Sequence, residues 1–361
     1  MTIVQLRPPE MAINECLKRV VPFWFGRDVH AESGFFVEYT EGAAAEIRML
    51  RPVGEVNQLQ MADTSKVFAE GIDFVVAPDR MRILLTPTSR IPYLGFHERF
   101  PKKGRPMSIT QHRDGTRNLY FSEGHVFHDQ QVVVDYVAAG PYQGVVPDSK
   151  LRRLPKTATL LRIGKPLRVT VLGDSISTGA NASGATGAAP WQPPYPQLVA
   201  HALHRKYRSA ATVTNFSVGG MDVRWGVTQV AKVIDSNPDL VVLAFGMNDA
   251  SGRRTPEEYA RLTQDIIGAV SASKPDCEFI LVATMTGNPD WSYAAPELYP
   301  KYRDALIGIE TTGVAVADVT SLWMAVVAKK SFMDITGNGV NHPNDYGHRL
   351  YAMAVSATLG C

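Results

Sequence analysis

The sequence predicts two domains of different class: an all-β module of the sandwich or jelly-roll kind, then an α/β domain built on a parallel sheet. Three observations lead there. The chain has 361 residues, and at roughly 150 residues per domain that is material for two. Over residues 1–160 short β-rich runs are separated by clusters of Pro, Gly, Asp and Lys, an all-β pattern. From 161 to 361 short, continuously apolar runs alternate with helical patterns. We therefore expect the β module at 1–160, a bridge at 151–166, and the α/β domain at 161–361.

In the first domain the expected strands are GFFVEYT (34–40), GIDFVVA (71–77), RMRILLT (80–86) and QVVVDYVA (131–138), with one short helical stretch at 10–21. In the second they are RVTVLG (168–173), TVTNFS (212–217), DLVVLAF (239–245), FILVAT (279–284) and VAVAD (314–318). These lack strict two-residue alternation, as strands buried on both faces do. The clearest helix between them is TPEEYARLTQDIIGAV. Thr255 is its N-cap, Pro256 its first residue and Glu258 its capping-box partner, and Tyr259, Leu262, Ile266, Ile267 and Val270 share one face. Five strands alternating with helices imply a parallel sheet covered on both sides, and in such sheets ligands bind beyond the carboxyl ends of the strands.

Composition narrows the function classes. Hydrophobic residues make up 45% and charged residues 20% of the chain, which excludes global disorder and fibrous repeats. A formal net charge of +2 gives no field for nucleic acid or an anionic membrane. No run approaches the ~18 apolar residues of a membrane-spanning helix. The N-terminus is interrupted by Arg7, Pro8, Pro9 and Glu10, so no secretory signal is visible and the expectation is cytoplasmic. Cys16, Cys277 and Cys361 stand far apart with no Cys-x-x-Cys spacing, and read as reduced thiols. The run Arg99 to Arg105 reads as a solvated loop.

The residues able to carry chemistry sit at strand ends. The first parallel strand runs into Gly173-Asp174-Ser175, which puts the Ser175 hydroxyl where a nucleophile belongs, although the tripeptide alone fits a helix cap. The next ends in Asn215-Phe216-Ser217-Val218-Gly219-Gly220, where glycine lets an amide face a ligand or simply makes a turn. The third ends in Gly246-Met247-Asn248-Asp249, where Asn248 aims a side-chain NH₂ at the same point or forms an Asx turn. Near the C-terminus Asn341-His342-Pro343-Asn344-Asp345 precedes the last helix, which Asn344 and Asp345 suit as caps.

In this order the four blocks resemble the SGNH (GDSL) hydrolase family of esterases, over about residues 168–358. The resemblance implies a three-layer flavodoxin-like α/β/α domain, with Ser175 as nucleophile and His342 as general base. It also implies an oxyanion hole formed by the Ser175 amide, the Gly220 amide and the Asn248 side chain, with Gly219 as a substitute for Gly220. One position departs from the family pattern. An Asp usually stands three residues before the His, and here that residue is Gly339. An inserted residue would bring Asn338 into its place, but an amide cannot stabilise an imidazolium as a carboxylate does. Asp334, the nearest upstream carboxylate, is therefore the expected third member, against a backbone carbonyl acting in a Ser-His dyad.

Around the nucleophile the loop NASGATGAAPWQPPYP (181–196) carries Trp191 and Tyr195. A second aromatic cluster lies at 288–300, and Trp225 with Arg224 follows the glycine block. Trp191, Tyr195 and Trp225 are candidate substrate contacts or simply loop anchors. The expectation is a serine esterase acting on acyl, foremost acetyl, esters of a small molecule or oligosaccharide, with no metal or organic cofactor. A lipid or thioester acylhydrolase and a non-catalytic glycan-binding protein are the alternatives.

Overall fold

A computed structural model of the chain describes residues 18–110 and 112–361. Cys16 and residues 10–17 of the expected helix at 10–21 lie outside them. The first domain contains β1 (Asp28–Gly34), β2 (Glu46–Arg48), β3 (Val53–Met61), β4 (Val67–Phe68), β5 (Phe74–Val76), β6 (Arg82–Leu85), β7 (Ser108–Thr110), β8 (Asn118–Tyr120) and β9 (Val132–Ala138). All pair antiparallel, in sheets of order β1-β9-β3-β4 and β2-β6-β5 and a separate β7-β8 pair.

Two expectations shift here. The run 34–40 is not a strand: β1 ends at Gly34, and of the residues after it only Val37 forms isolated bridges. The cause is visible at Phe35, whose amide leaves the sheet to donate to Asp334 Oδ1 at 2.8 Å. The longest strand, β3, went unread because its register slips between Val53 and Glu55 and again between Val56 and Gln58. Bulges of this kind erase the two-residue period.

The second domain contains β10 (Leu167–Gly173), β11 (Ala211–Asn215), β12 (Leu240–Ala244), β13 (Glu278–Ala283) and β14 (Val314–Asp318), all parallel in the order β11-β10-β12-β13-β14. Every residue of β12 and β13 is buried, which is why they read as continuous apolar runs. The edge strand β11 is more open and correspondingly polar. The helix Pro256–Ser273 forms, with Thr255 accepting the Glu258 amide, but the Glu258 carboxylate bonds Arg224 and Arg254 instead of closing the expected capping box. Because the chain passes first to β11 on one side of β10 and then to β12 on the other, the carboxyl end of β10 is the topological switch point.

The helix Pro155–Arg162 is tied to the second domain, since the amides of Lys156 and Thr157 donate to Glu278 at the start of β13. On that contact we draw the boundary near residue 154. The two domains share one continuous apolar core, and polar contacts cross between them. Lys330 pairs with Glu32 at 2.8 Å, both fully buried. Gln131 Nε2 donates to the Met333 and Thr336 carbonyls, and Asn344 Nδ2 donates to Ser33 Oγ and Gln131 Oε1. Arg349, on the buried last helix Asp345–Thr358, donates to the carbonyls of Arg19, His30 and Ala31. The first domain thus grips the segment 330–349 that carries His342.

Candidate active site

At the end of β10 the strand runs tight against β12. A Cβ on Gly173 would lie 2.5 Å from the Ala244 carbonyl oxygen, so only glycine fits. Asp174 then starts the short helix Ser175–Thr178 by accepting the Ile176 amide at 3.0 Å. This capping turn presents Ser175 at the switch point. Asp174 itself is buried, and its second oxygen has no hydrogen-bond partner among the described residues. Burial pushes its carboxyl up to about 7.

His342 Nε2 lies 2.9 Å from Ser175 Oγ. The loop before it is organised by Asn338, whose Oδ1 accepts the amides of Val340, Asn341 and His342 at 3.0–3.1 Å. On the other side of the ring, Nδ1 is 3.1 Å from Asn181 Oδ1 and 3.2 Å from Glu123 Oε2. Asn181 Nδ2 donates to the carbonyls of Gly124 and Gly337, so its oxygen is the atom turned to the ring. A carboxylate is an acceptor only. With acceptors on both contacts, the proton of the neutral ring sits on Nδ1. Nε2 then carries the lone pair that receives the serine hydroxyl. Asn338 Nδ2 donates to the other oxygen of Glu123 at 3.1 Å.

The glycine and asparagine blocks converge on the same corner. The Val218 amide donates to the Gly173 carbonyl, and a Cβ on Gly219 would stand 3.7 Å from Ser175 Cβ. Gly220 has φ +79° with open space beside it. Asn248 Nδ2 donates to the Met221 carbonyl at 2.9 Å, which commits one of its two hydrogens and fixes the plane of the other. Asp249 locks the two blocks together. It accepts the Val223 amide and Arg254 Nε, and Arg254 also reaches Asp222 and Glu258. Burial pushes the Asp249 carboxyl up to about 6 despite the arginine.

Of the residues expected from sequence, Ser175, Gly219, Gly220, Asn248 and His342 lie in this corner, and Asp334 does not reach the imidazole. One Asp334 oxygen takes the Phe35 amide and the other the amide of Ser331, its own N-cap residue, at 2.8 Å each. It is a buried staple between the domains. Asn338, the other candidate for the acid's place, holds the loop instead. Tyr195 is also elsewhere: 1% exposed, it packs on Tyr351 and His348 and bonds Ser177 Oγ at 2.7 Å. Trp225 packs edge-on against Phe245, and Arg224 pairs with Glu258. Trp191 alone of the three aromatics is open, at 43% exposure. Asn344 caps the last helix through the Gly347 amide, and Asp345 accepts the amide and hydroxyl of Ser183.

Sequence reasoning missed Glu123 and Asn181. Asn181 has one local sign, a non-glycine residue at φ +60°, which asparagine tolerates better than most. Glu123 has none, standing 219 positions before the histidine. Among the described residues no group of three or more His, Cys, Asp or Glu could hold a metal ion. None of the described helices is long and apolar enough to cross a membrane.

A doubly wound α/β domain with a serine–histidine pair at its switch point has the layout of a serine hydrolase. Residues 171–350 match the GDSL-like lipase/acylhydrolase family, and the C-terminal domain belongs to it. No curated protein matches the chain. Among solved structures it is similar to a two-domain esterase active on acetylated mannans, 23% identical over 60% of this chain and 54% of that one, TM-score 0.45. It therefore spans about half of that protein's length. An acetylxylan esterase from Geobacillus stearothermophilus is 20% identical over 55% of this chain and 97% of its own, TM-score 0.44. A lipase from a goat rumen metagenome is 12% identical over 53% and 97%, TM-score 0.45.

Proposed function

We propose that this chain is a serine esterase that removes short acyl groups, acetyl foremost, from a carbohydrate ester. The observation that carries the esterase reading is the 2.9 Å contact between Ser175 Oγ and His342 Nε2, with only acceptors facing Nδ1. That arrangement makes Nε2 the base. Ser175 Oγ attacks the ester carbonyl carbon as His342 takes its proton, and the imidazolium returns the proton to the departing alcohol. Water then attacks the acyl-serine by the same route, releasing the carboxylic acid and restoring Ser175. The oxyanion formed at each stage is within the character of the donors gathered here, the amides of Ser175 and of Gly220 or Gly219 and the second N–H of Asn248. The exposed indole of Trp191 supports a sugar as the alcohol, because a flat apolar face in a polar setting suits a pyranose ring.

The test is hydrolysis of 4-nitrophenyl acetate, butyrate and octanoate by the wild type and by Ser175→Ala. The expected result is a preference for acetate and a loss on the order of 10⁴-fold or more in the variant. A preference for octanoate would overturn the acetyl assignment in favour of a lipid acylhydrolase. Equal rates for wild type and variant on all three esters and on acetylated oligosaccharides would sink the esterase reading.

A further inference from the structure

We propose that Glu123, carried by the N-terminal β domain, is the acidic partner of His342, so that the catalytic centre is completed only across the domain boundary. This rests on the reading of Ser175 and His342 as nucleophile and base. The place that family members give to an Asp is here Gly339, and that glycine has φ +78° with the first domain pressed against it. A Cβ there would meet the Tyr120 carbonyl oxygen at 2.8 Å and the Phe127 ring at 3.0 Å. The chain that blocks the usual position is thus the segment that brings in a carboxylate of its own, between β8 and β9.

Glu123 has what the role needs. Its Oε2 is 3.2 Å from Nδ1, and its Oε1 is fixed by Asn338 Nδ2 at 3.1 Å. The same asparagine accepts the His342 amide, so one side chain sets both the loop and the acid. The Gly124 carbonyl, next in sequence, accepts from Asn181 Nδ2 and so turns the Asn181 oxygen to the ring. Partial burial pushes the Glu123 carboxyl up, but the hydrogen bond and charge of His342, then Asn338 and Asn181, hold it below the usual glutamate range. It is therefore ionised where an imidazole titrates. The other titratable groups bearing on His342 are Asp174 and His348, both buried on the α/β side.

Glu123 is a positioning residue: it makes no contact with the reacting atoms and acts by stabilising the imidazolium that forms when Ser175 gives up its proton. Its side chain is 51% exposed, and Asn181 remains as a second acceptor. Its loss should therefore cost less than the ~10⁴-fold measured where the acid is buried in the Ser-His-Asp template.

The experiment measures kcat/KM on 4-nitrophenyl acetate against pH for the wild type, Ser175→Ala, Glu123→Gln and Glu123→Ala, with each variant's melting temperature. Glu123→Gln should fall on the order of 100-fold at an unchanged melting temperature. The acid limb of its profile should move to lower pH, because a base without its anionic neighbour is harder to protonate. Added formate should restore part of the Glu123→Ala rate where equal chloride does not, since the half-exposed site admits a small carboxylate. A wild type no faster than Ser175→Ala sinks this proposal together with the esterase reading. An active wild type, a dead Ser175→Ala and a Glu123→Gln with unaltered kcat/KM and acid limb overturn this proposal alone.

Discussion

The two domains present their site residues in opposite ways. In the α/β domain all of them but Asn181, which follows the short helix Ser175–Thr178, stand at the end of a parallel strand or in the loop before the last helix. The sheet order β11-β10-β12-β13-β14 then converges those ends on one corner. In the β domain Glu123 stands in an irregular segment between β8 and β9, and it reaches His342 because that segment lies over Gly339. A regular scaffold turns sequence order into spatial order. An irregular one contributes through docking, and its contribution is only as good as the interface that holds it.

The sharpest way to break that comparison is to undo the interface. Lys330 and Glu32 form a fully buried ion pair between the domains, and Glu32 also accepts the Leu50 amide and the Tyr136 hydroxyl. Lys330→Met leaves a buried carboxylate without its countercharge, which typically costs about 3–5 kcal/mol. Denaturant unfolding should show that loss in a single transition, because one apolar core runs through both domains. Adding Glu32→Gln to Lys330→Met should recover most of it. Two separate transitions, or a Lys330→Met variant as stable as wild type, would mean that the domains stand independently.

A smaller effect is expected at Asn181, the acceptor that the α/β domain itself offers to His342. Asn181 and Gly337 pack so closely that a Cβ on Gly337 would lie 2.3 Å from Asn181 Cβ. Gly337→Ala must displace the side chain that accepts from Nδ1, and a shift of this order typically costs about 100-fold in rate. Stability should change less than for Lys330→Met. Unchanged kcat/KM in Gly337→Ala would show that Asn181 does not hold the ring.

These variants also mark where the sequence was legible. The five parallel strands and the helix at 256–273 were readable because burial on two faces leaves continuous apolar runs and a threonine N-cap followed by proline leaves local punctuation. Ser175, Gly220, Asn248 and His342 were readable because each lies within a few residues of a strand end or helix start. Asp334 was chosen for its nearness in sequence, yet its carboxylate is used by the Phe35 amide of the other domain. Tyr195 was chosen for its place beside the nucleophile, but on the helix Tyr195–Tyr207 it points into the core. Both errors have one cause: no local pattern says which partner, from how far along the chain, will occupy a polar group.

The last expected effect is graded with pH and concerns stability at the nucleophile turn itself. Asp174 caps that turn with one oxygen and has no partner for the other among the described residues, and burial raises its carboxyl from 3.8 to about 7. Below the lower value both the folded and the unfolded states hold the proton, and the group costs nothing extra. Between the two values the unfolded chain has released its proton while the folded protein retains it. Stability therefore falls as pH rises through that window and levels off above about 7. Asp174→Asn keeps an oxygen for the Ile176 amide and has no charge to bury. Its melting temperature relative to wild type should climb as the pH is raised from below 3.8 to above 7. The groups with depressed values, such as Asp73 beside Arg90, titrate alike in both proteins and cancel in the difference. A gap that stays constant with pH would mean that Asp174 is already ionised in the folded protein across the window. The cap would then be held by a charge that the surrounding α/β layers tolerate.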